Sequence, residues 1–185
     1  MFSRVNKQEN NIQSRKNALV AYLLSHIINI KHIEKVDNTK INRLIYLLWL
    51  EYAQLYPENT IPQTSPMRIL EFYNYELGPV ELSVSDNLDE IKRTLTTVGI
   101  PRFKEIGFNS SEQINILNAC SFIRRRCMHL SAQQLTDFIT GNLPISWNRP
   151  RYNKIEFHQN ANFEREMRIY KKARKKLKSP TAKEK

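Results

Sequence analysis

The chain has 185 residues, of which 41 % are apolar and 10 % aromatic, enough to build one ordered core and too few for two full domains. Its net charge of +11 is lopsided: residues 151–185 hold twelve Lys and Arg against four Glu, while everything before them holds seventeen against fourteen acids. That composition excludes a disordered polyampholyte and leaves nucleic acid, an anionic membrane surface, an acidic protein partner or plain solubility as reasons for the basic C-terminal fifth.

In chain order, residues 1–14 are rich in Asn, Gln and charge and read as a flexible lead-in. A first helix is predicted from Arg15 to Asn29, where Leu19, Tyr22, Leu23, His26 and Ile27 recur at helical spacing, with His26 as a core-edge residue. Asp37, Asn38 or Thr39 can cap a second helix that runs to Tyr56 and stops at Pro57. Its middle, through Leu47, Trp49 and Leu50, is apolar nearly all round, which predicts a central helix packed on several sides. Met67 to Tyr75 is aromatic-rich and suits extended chain or a short β-ribbon, with a short helix as the competing reading.

Gly78-Pro79 is the sharpest local signal in a chain with only four glycines. Gly accepts positive φ and Pro fixes its own near −65°, so a rigid corner is expected there. Ser83 or Ser85 then caps a helix through Val98 with Leu88, Ile91, Leu95 and Val98 inward, stopped by Gly99 and Pro101. Ser110 and Gln113 have capping-box spacing ahead of a helix to Cys127 that carries Ile114, Leu117, Ala119, Cys120 and Ile123; Ser131 and Gln134 repeat the pattern before a shorter helix ending at Gly141. Pro144, Trp147 and Pro150 predict an anchored loop. A last helix from Asn160 to Lys178 has a thin apolar stripe of Phe163, Met167, Tyr170 and Leu177 inside a crowd of Arg and Lys, and reads as a solvated, frayed face.

Little here points to catalysis. The four histidines have no metal-ligand spacing with Cys, Asp or Glu, and scattered glycines cannot build a phosphate loop, so neither metal nor cofactor is expected. Cys120 and Cys127 stand two turns apart on one helix, about 10.5 Å along its axis, too far for a disulfide between them. Arg124, Arg125 and Arg126 could lower a neighbouring thiol's pKa, but helix packing is the simpler reading of both cysteines. Free thiols, no apolar leader, and apolar runs (Ala18 to Ile28, Leu44 to Leu50) far shorter than the ~20 residues of a membrane span together predict a cytoplasmic protein that does not enter a membrane.

Several segments taken in order resemble the Panacea domain, the SocA-like antitoxin family of bacterial and phage toxin–antitoxin systems. Lys40-Ile41-Asn42-Arg43-Leu44-Ile45-Tyr46 is similar to that family's Lys-Leu-x-Lys-Leu-Leu-Tyr helix, with Tyr52 at its later aromatic position. Tyr75-Glu76-Leu77-Gly78-Pro79-Val80 resembles its Trp-x-Tyr-Gly-Pro-Val signature, with Tyr75 in place of Trp and Leu77 in place of Tyr. His129 to Leu135 is similar to its late Ser-Ala-x-x-Leu helix start, and Pro144-Ile145-Ser146-Trp147 to its closing Pro-Trp segment.

The resemblance covers Arg15 to Arg149. It implies a mainly helical domain, residues 15–150, that neutralises a cognate protein toxin by direct contact, in some members by handing it to a protease complex. Lys40, Leu44, Tyr46, Gly78 and Pro79 then belong to the architectural motif. Tyr73, Tyr75, Leu77 and Trp147 are the candidate partner contacts, because interface centres favour aromatic residues. The appended basic helix of residues 151–185 lies outside the resemblance. Arg168, Lys171, Lys172, Arg174, Lys175 and Lys176 are its candidate anion contacts, to DNA or to an acidic toxin surface.

Overall fold

In the computed structural model, which describes residues 2–56, 61–75, 78–143, 154–155 and 161–177, the chain is mainly helical. Helix α1 (Phe2–Ile27) begins well before the predicted Arg15. Its first half has no Gly or Pro and includes Arg4, Lys7, Gln8, Glu9 and Gln13, so a helix already nucleated by Leu19, Val20, Leu23 and Leu24 in the core extends backwards one residue at a time. A 3-10 turn (Ile30–Lys35), capped by the Asn29 side chain, was not foreseen and leads into α2 (Asn38–Ala53).

Helix α2 is the axis of the fold. Asp37 caps it by accepting from Lys40 N at 3.0 Å, and every residue from Ile41 to Ala53 is buried. It packs against α6 (Ser110–Cys127) and α7 (Ala132–Asn142), while α1 covers α6 and α4 (Leu88–Thr97). Tyr46 and Trp49 set their rings edge-on to Phe72, at 5.3 and 6.5 Å, and the Trp49 indole donates to Met67 O at 3.2 Å. These contacts fasten the irregular stretch after α2 to the helix itself.

That stretch contains a 3-10 turn, Pro66–Ile69, and then extended chain. The expected ribbon shrinks to isolated bridges: Tyr73 pairs antiparallel with Val80 and with Lys154, and no strand forms among the described residues. The helix predicted from Ser83 or Ser85 to Val98 is two helices, α3 (Leu82–Ser85) and α4. Ser85-Asp86-Asn87 breaks it, as short polar side chains that bond local backbone do, and Asn87 Nδ2 donates to Ser83 O at 2.7 Å. Leu88, Ile91 and Leu95 face inward as expected, but Val98 lies beyond the helix and is 83 % exposed.

The short α5 (Phe103–Ile106) ends on Gly107, whose φ of +89° supplies the left-handed cap. The capping box of α6 is Asn109 with Glu112, one residue earlier than Ser110 with Gln113. Its buried face is Ile116, Ala119, Cys120, Ile123 and Cys127. Ile114 points to solvent because it lies two residues, about 200°, from Ile116. The Ser131–Gln134 box of α7 stands as predicted. Helix α8 (Ala161–Ala173) continues into a 3-10 turn, Arg174–Lys176.

Candidate functional site

The second turn of α2 carries a buried cation. Arg43 is 1 % exposed, and its guanidinium donates from Nη1 to Pro79 O at 2.8 Å and from Nε to Thr136 Oγ1 at 3.3 Å. Burial pulls its pKa down to about 10, against the pull of nearby Asp37. The Gly-Pro corner is shaped around this group. Gly78 has φ +120°, and a Cβ placed on it would stand 2.6 Å from Arg43 Nε and 2.7 Å from Cζ. The glycine is needed twice over, for its backbone angle and for the guanidinium packed on its face. Pro79, with no N–H of its own, turns its carbonyl into the joint.

Two further cations tie separate elements together. Lys16 on α1 reaches Glu81, two residues past the corner, at 2.7 Å. The Glu81 carboxylate also accepts from Val84 N at 2.7 Å and Ser83 Oγ at 2.8 Å, which caps α3. Lys40 donates to Met128 O at 2.8 Å and so satisfies a carbonyl at the end of α6. Leu44 and Tyr46 are core residues. Each described position of the motif therefore has an architectural task.

The candidate contact residues divide. Tyr73 and Tyr75 are half-buried beside the corner, with the Tyr73 backbone exchanging hydrogen bonds with Val80 at 2.8 and 3.0 Å. Leu77 and Trp147 lie outside the described residues.

At the other end of α2, Glu51 is 3 % exposed in the last turn, where the helix dipole disfavours an acid. It accepts from Tyr170 Oη at 2.8 Å, from both Nε and Nη2 of Arg174, and from Gln54. Burial raises the Glu51 carboxyl above its ordinary range, with the donors from Arg174 and Tyr170 drawing it back. Arg174 also lies over the Phe122 ring, 4.3 Å from its centroid.

The solvated, frayed reading of the last helix is thus corrected for half of its circumference. Met167, Tyr170, Ala173 and Leu177 are buried in the common core. Arg174 is turned inward onto Glu51, and Lys176 donates to Asn142 Oδ1 at 2.7 Å, so neither is a simple surface anion contact. Arg168, Lys171, Lys172 and Lys175 remain exposed. Glu51 escaped the sequence reading, although an acid inside an apolar-all-round helix is itself a signal that a donor must come to meet it.

Cys120 and Cys127 are buried and free, and burial pushes both thiols up to about 12, as packing residues rather than nucleophiles. A cleft of about 260 Å³ between α1 and α4, lined by Ser14, Asn17, Ala21, Ile91 and Pro101, has Glu90 as its one titratable side chain. Among the described residues no group of three or more His, Cys, Asp or Glu could hold a metal ion, and no helix is long and apolar enough to cross a membrane.

No protein-family model, no curated protein and no solved structure matches this chain. Any functional assignment therefore rests on the motif series and on the geometry that the motifs make.

Proposed function

We propose that this protein is an antitoxin that neutralises a cognate protein toxin by direct binding. One observation supports the reading above the others: three motif segments far apart in sequence meet at Arg43. The 40–46 helix supplies the guanidinium, the Gly78-Pro79 corner supplies a carbonyl and a Cβ-free surface, and the helix opened by Ser131 supplies Thr136. An ordered motif series that closes on one buried joint is what a shared fold requires of its fixed positions.

Tyr73 and Tyr75 flank the joint and, with Leu77 and Trp147, form the proposed toxin contact, where rigid aromatics give large area at small entropic cost. Handover of the bound toxin to a protease complex belongs to the same reading. Co-expression tests it. The gene adjacent to this one should arrest growth when expressed alone and become harmless beside this chain. Tyr75→Ala should lose the rescue while the protein still accumulates. Persistent toxicity beside intact, folded antitoxin overturns the proposal.

A further inference from the structure

We propose that the solvent face of α8 is a docking surface for the phosphate backbone of duplex nucleic acid. Arg168, Lys171, Lys172 and Lys175 are exposed and stand at i, i+3, i+4 and i+7, one stripe on the helix, with Arg165 continuing it by a further turn. From Arg165 to Lys175 the stripe is about 15 Å long at 1.5 Å per residue. Exposed Arg124 and Arg125 close α6, the helix on which the end of α8 rests.

Like charges three and four apart on a helix repel, so this row costs helix stability. The fold holds it rigid nonetheless. Directly behind the stripe Tyr170 bonds Glu51, Arg174 grips Glu51 and covers Phe122, and Arg126 Nη1 donates to Leu177 O at 3.3 Å. None of the stripe's cations is ion-paired to a carboxylate among the described residues. A cationic ridge fixed in place, five cations with Glu164 as the one acid on the same face among the described residues, is pre-organised for a polyanion.

The chemistry of the ridge selects which one. Protein interface cores are depleted of Lys and enriched in aromatic residues, and among the described residues no aromatic or aliphatic side chain stands within this stripe. Single-stranded nucleic acid is held by stacking bases on exposed rings, which the stripe also lacks. Rows of point charges meet the phosphates of a duplex and carry no base readout, so binding is sequence-independent and strongly salt-dependent. The apolar face of α8 is already spent on the core, which excludes an amphipathic helix lying in a membrane surface.

The experiment titrates the full chain into a fluorescein-labelled DNA duplex of arbitrary sequence, reading anisotropy between about 50 and 200 mM KCl. With four or five phosphates neutralised, log K should fall against log[KCl] with a slope of about −4. The variant K171Q/K172Q/K175Q should lower that slope's magnitude by about 2.7 and weaken binding at least roughly tenfold at the lowest salt. K171R/K172R/K175R, which keeps the charge, should bind like the parent, as should K31Q/K35Q/R93Q, which removes exposed cations elsewhere. Absence of duplex binding at about 50 mM KCl, or an unchanged slope in the Gln variant, overturns the proposal. So does tighter binding of a single strand, or displacement of the duplex by polyglutamate at equal charge, which would make the ridge a site for acidic protein.

Discussion

The two ends of α2 bury opposite charges and solve the same problem differently. Arg43 is met by a backbone carbonyl and a hydroxyl presented by a corner and a helix, with Gly78 packed on its face. Glu51 is met by long side chains from a segment more than a hundred residues away, and the Arg174 side chain keeps 28 % of its surface in water. The first joint is specified by shape, and a fault in it has nowhere to relax. The second is specified by charge and can adjust through solvent. A buried ion survives only if its remaining hydrogen-bonding capacity is filled, and these are two ways to fill it.

The largest expected difference follows from removing the cation. Arg43→Met should cost about 4 kcal/mol in urea unfolding followed by tryptophan fluorescence, because the carbonyl of Pro79 and the hydroxyl of Thr136 are left buried without their donor. A loss below about 1 kcal/mol would show that water replaces the guanidinium and that the joint is not closed. Gly78→Ala should cost about 3 kcal/mol, from positive φ and from a methyl that drives the buried guanidinium off its partners. Equal stability of wild type and Gly78→Ala would place the corner's rigidity elsewhere.

The contrast also explains what the sequence could tell. The caps at Asp37 and Ser131, the central helix and the Gly-Pro corner were legible because each depends on residues within a few positions: Asp37 on Lys40 N, Ser131 on Gln134 N, Gly78 on its own φ; the caps predicted at Ser83 or Ser85 and at Ser110 fall instead to Glu81, Asn87 and Asn109. The break at Ser85-Asp86-Asn87 was missed because buried Val84 stands at helical spacing from Leu88, Ile91 and Leu95, so the apolar pattern continues across it. The phase of α6 was misjudged by giving Ile114 the weight that belongs to Ile116. The seating of α8 was illegible for a different reason. Its partner is Glu51, and no pattern within residues 161–177 announces an acid in another helix. The candidate site was half legible: the motif residues gather as a unit, whereas the basic ridge gains its meaning from what anchors its back.

At the Glu51 end the effects should be smaller. Tyr170→Phe removes one hydrogen bond to a buried carboxylate and should cost about 2 kcal/mol, since Arg174 and Gln54 remain. The pH dependence has a definite sign. Glu51 has a folded pKa above its ordinary 4.5, so between the two values the folded state holds more protons than the unfolded chain. Its contribution is present in full below about 4.5 and is lost as pH rises through the folded pKa. Stability of the wild type should therefore fall across that window relative to Glu51→Gln, which has no proton to lose. Parallel pH profiles for the two proteins would show that the donors offset burial entirely.

The smallest effect is the most discriminating, because it asks whether the two ends communicate at all. Arg43 and Glu51 are eight residues apart on one helix, about 12 Å along its axis. If each joint is closed on its own partners, Thr136→Val and Tyr170→Phe should add within about 0.5 kcal/mol. Thr136→Val and Gly78→Ala should not add. A Cβ at position 78 displaces the guanidinium from Thr136 Oγ1, so the second change removes a bond that the first has already broken. The combined loss should fall short of the sum by about 1 kcal/mol. Strong coupling in the first cycle would mean that α2 transmits strain between the corner and the basic ridge. Additivity in the second would mean that Gly78 and Thr136 never shared the guanidinium, and the convergence of the motif segments on Arg43 would lose its physical basis.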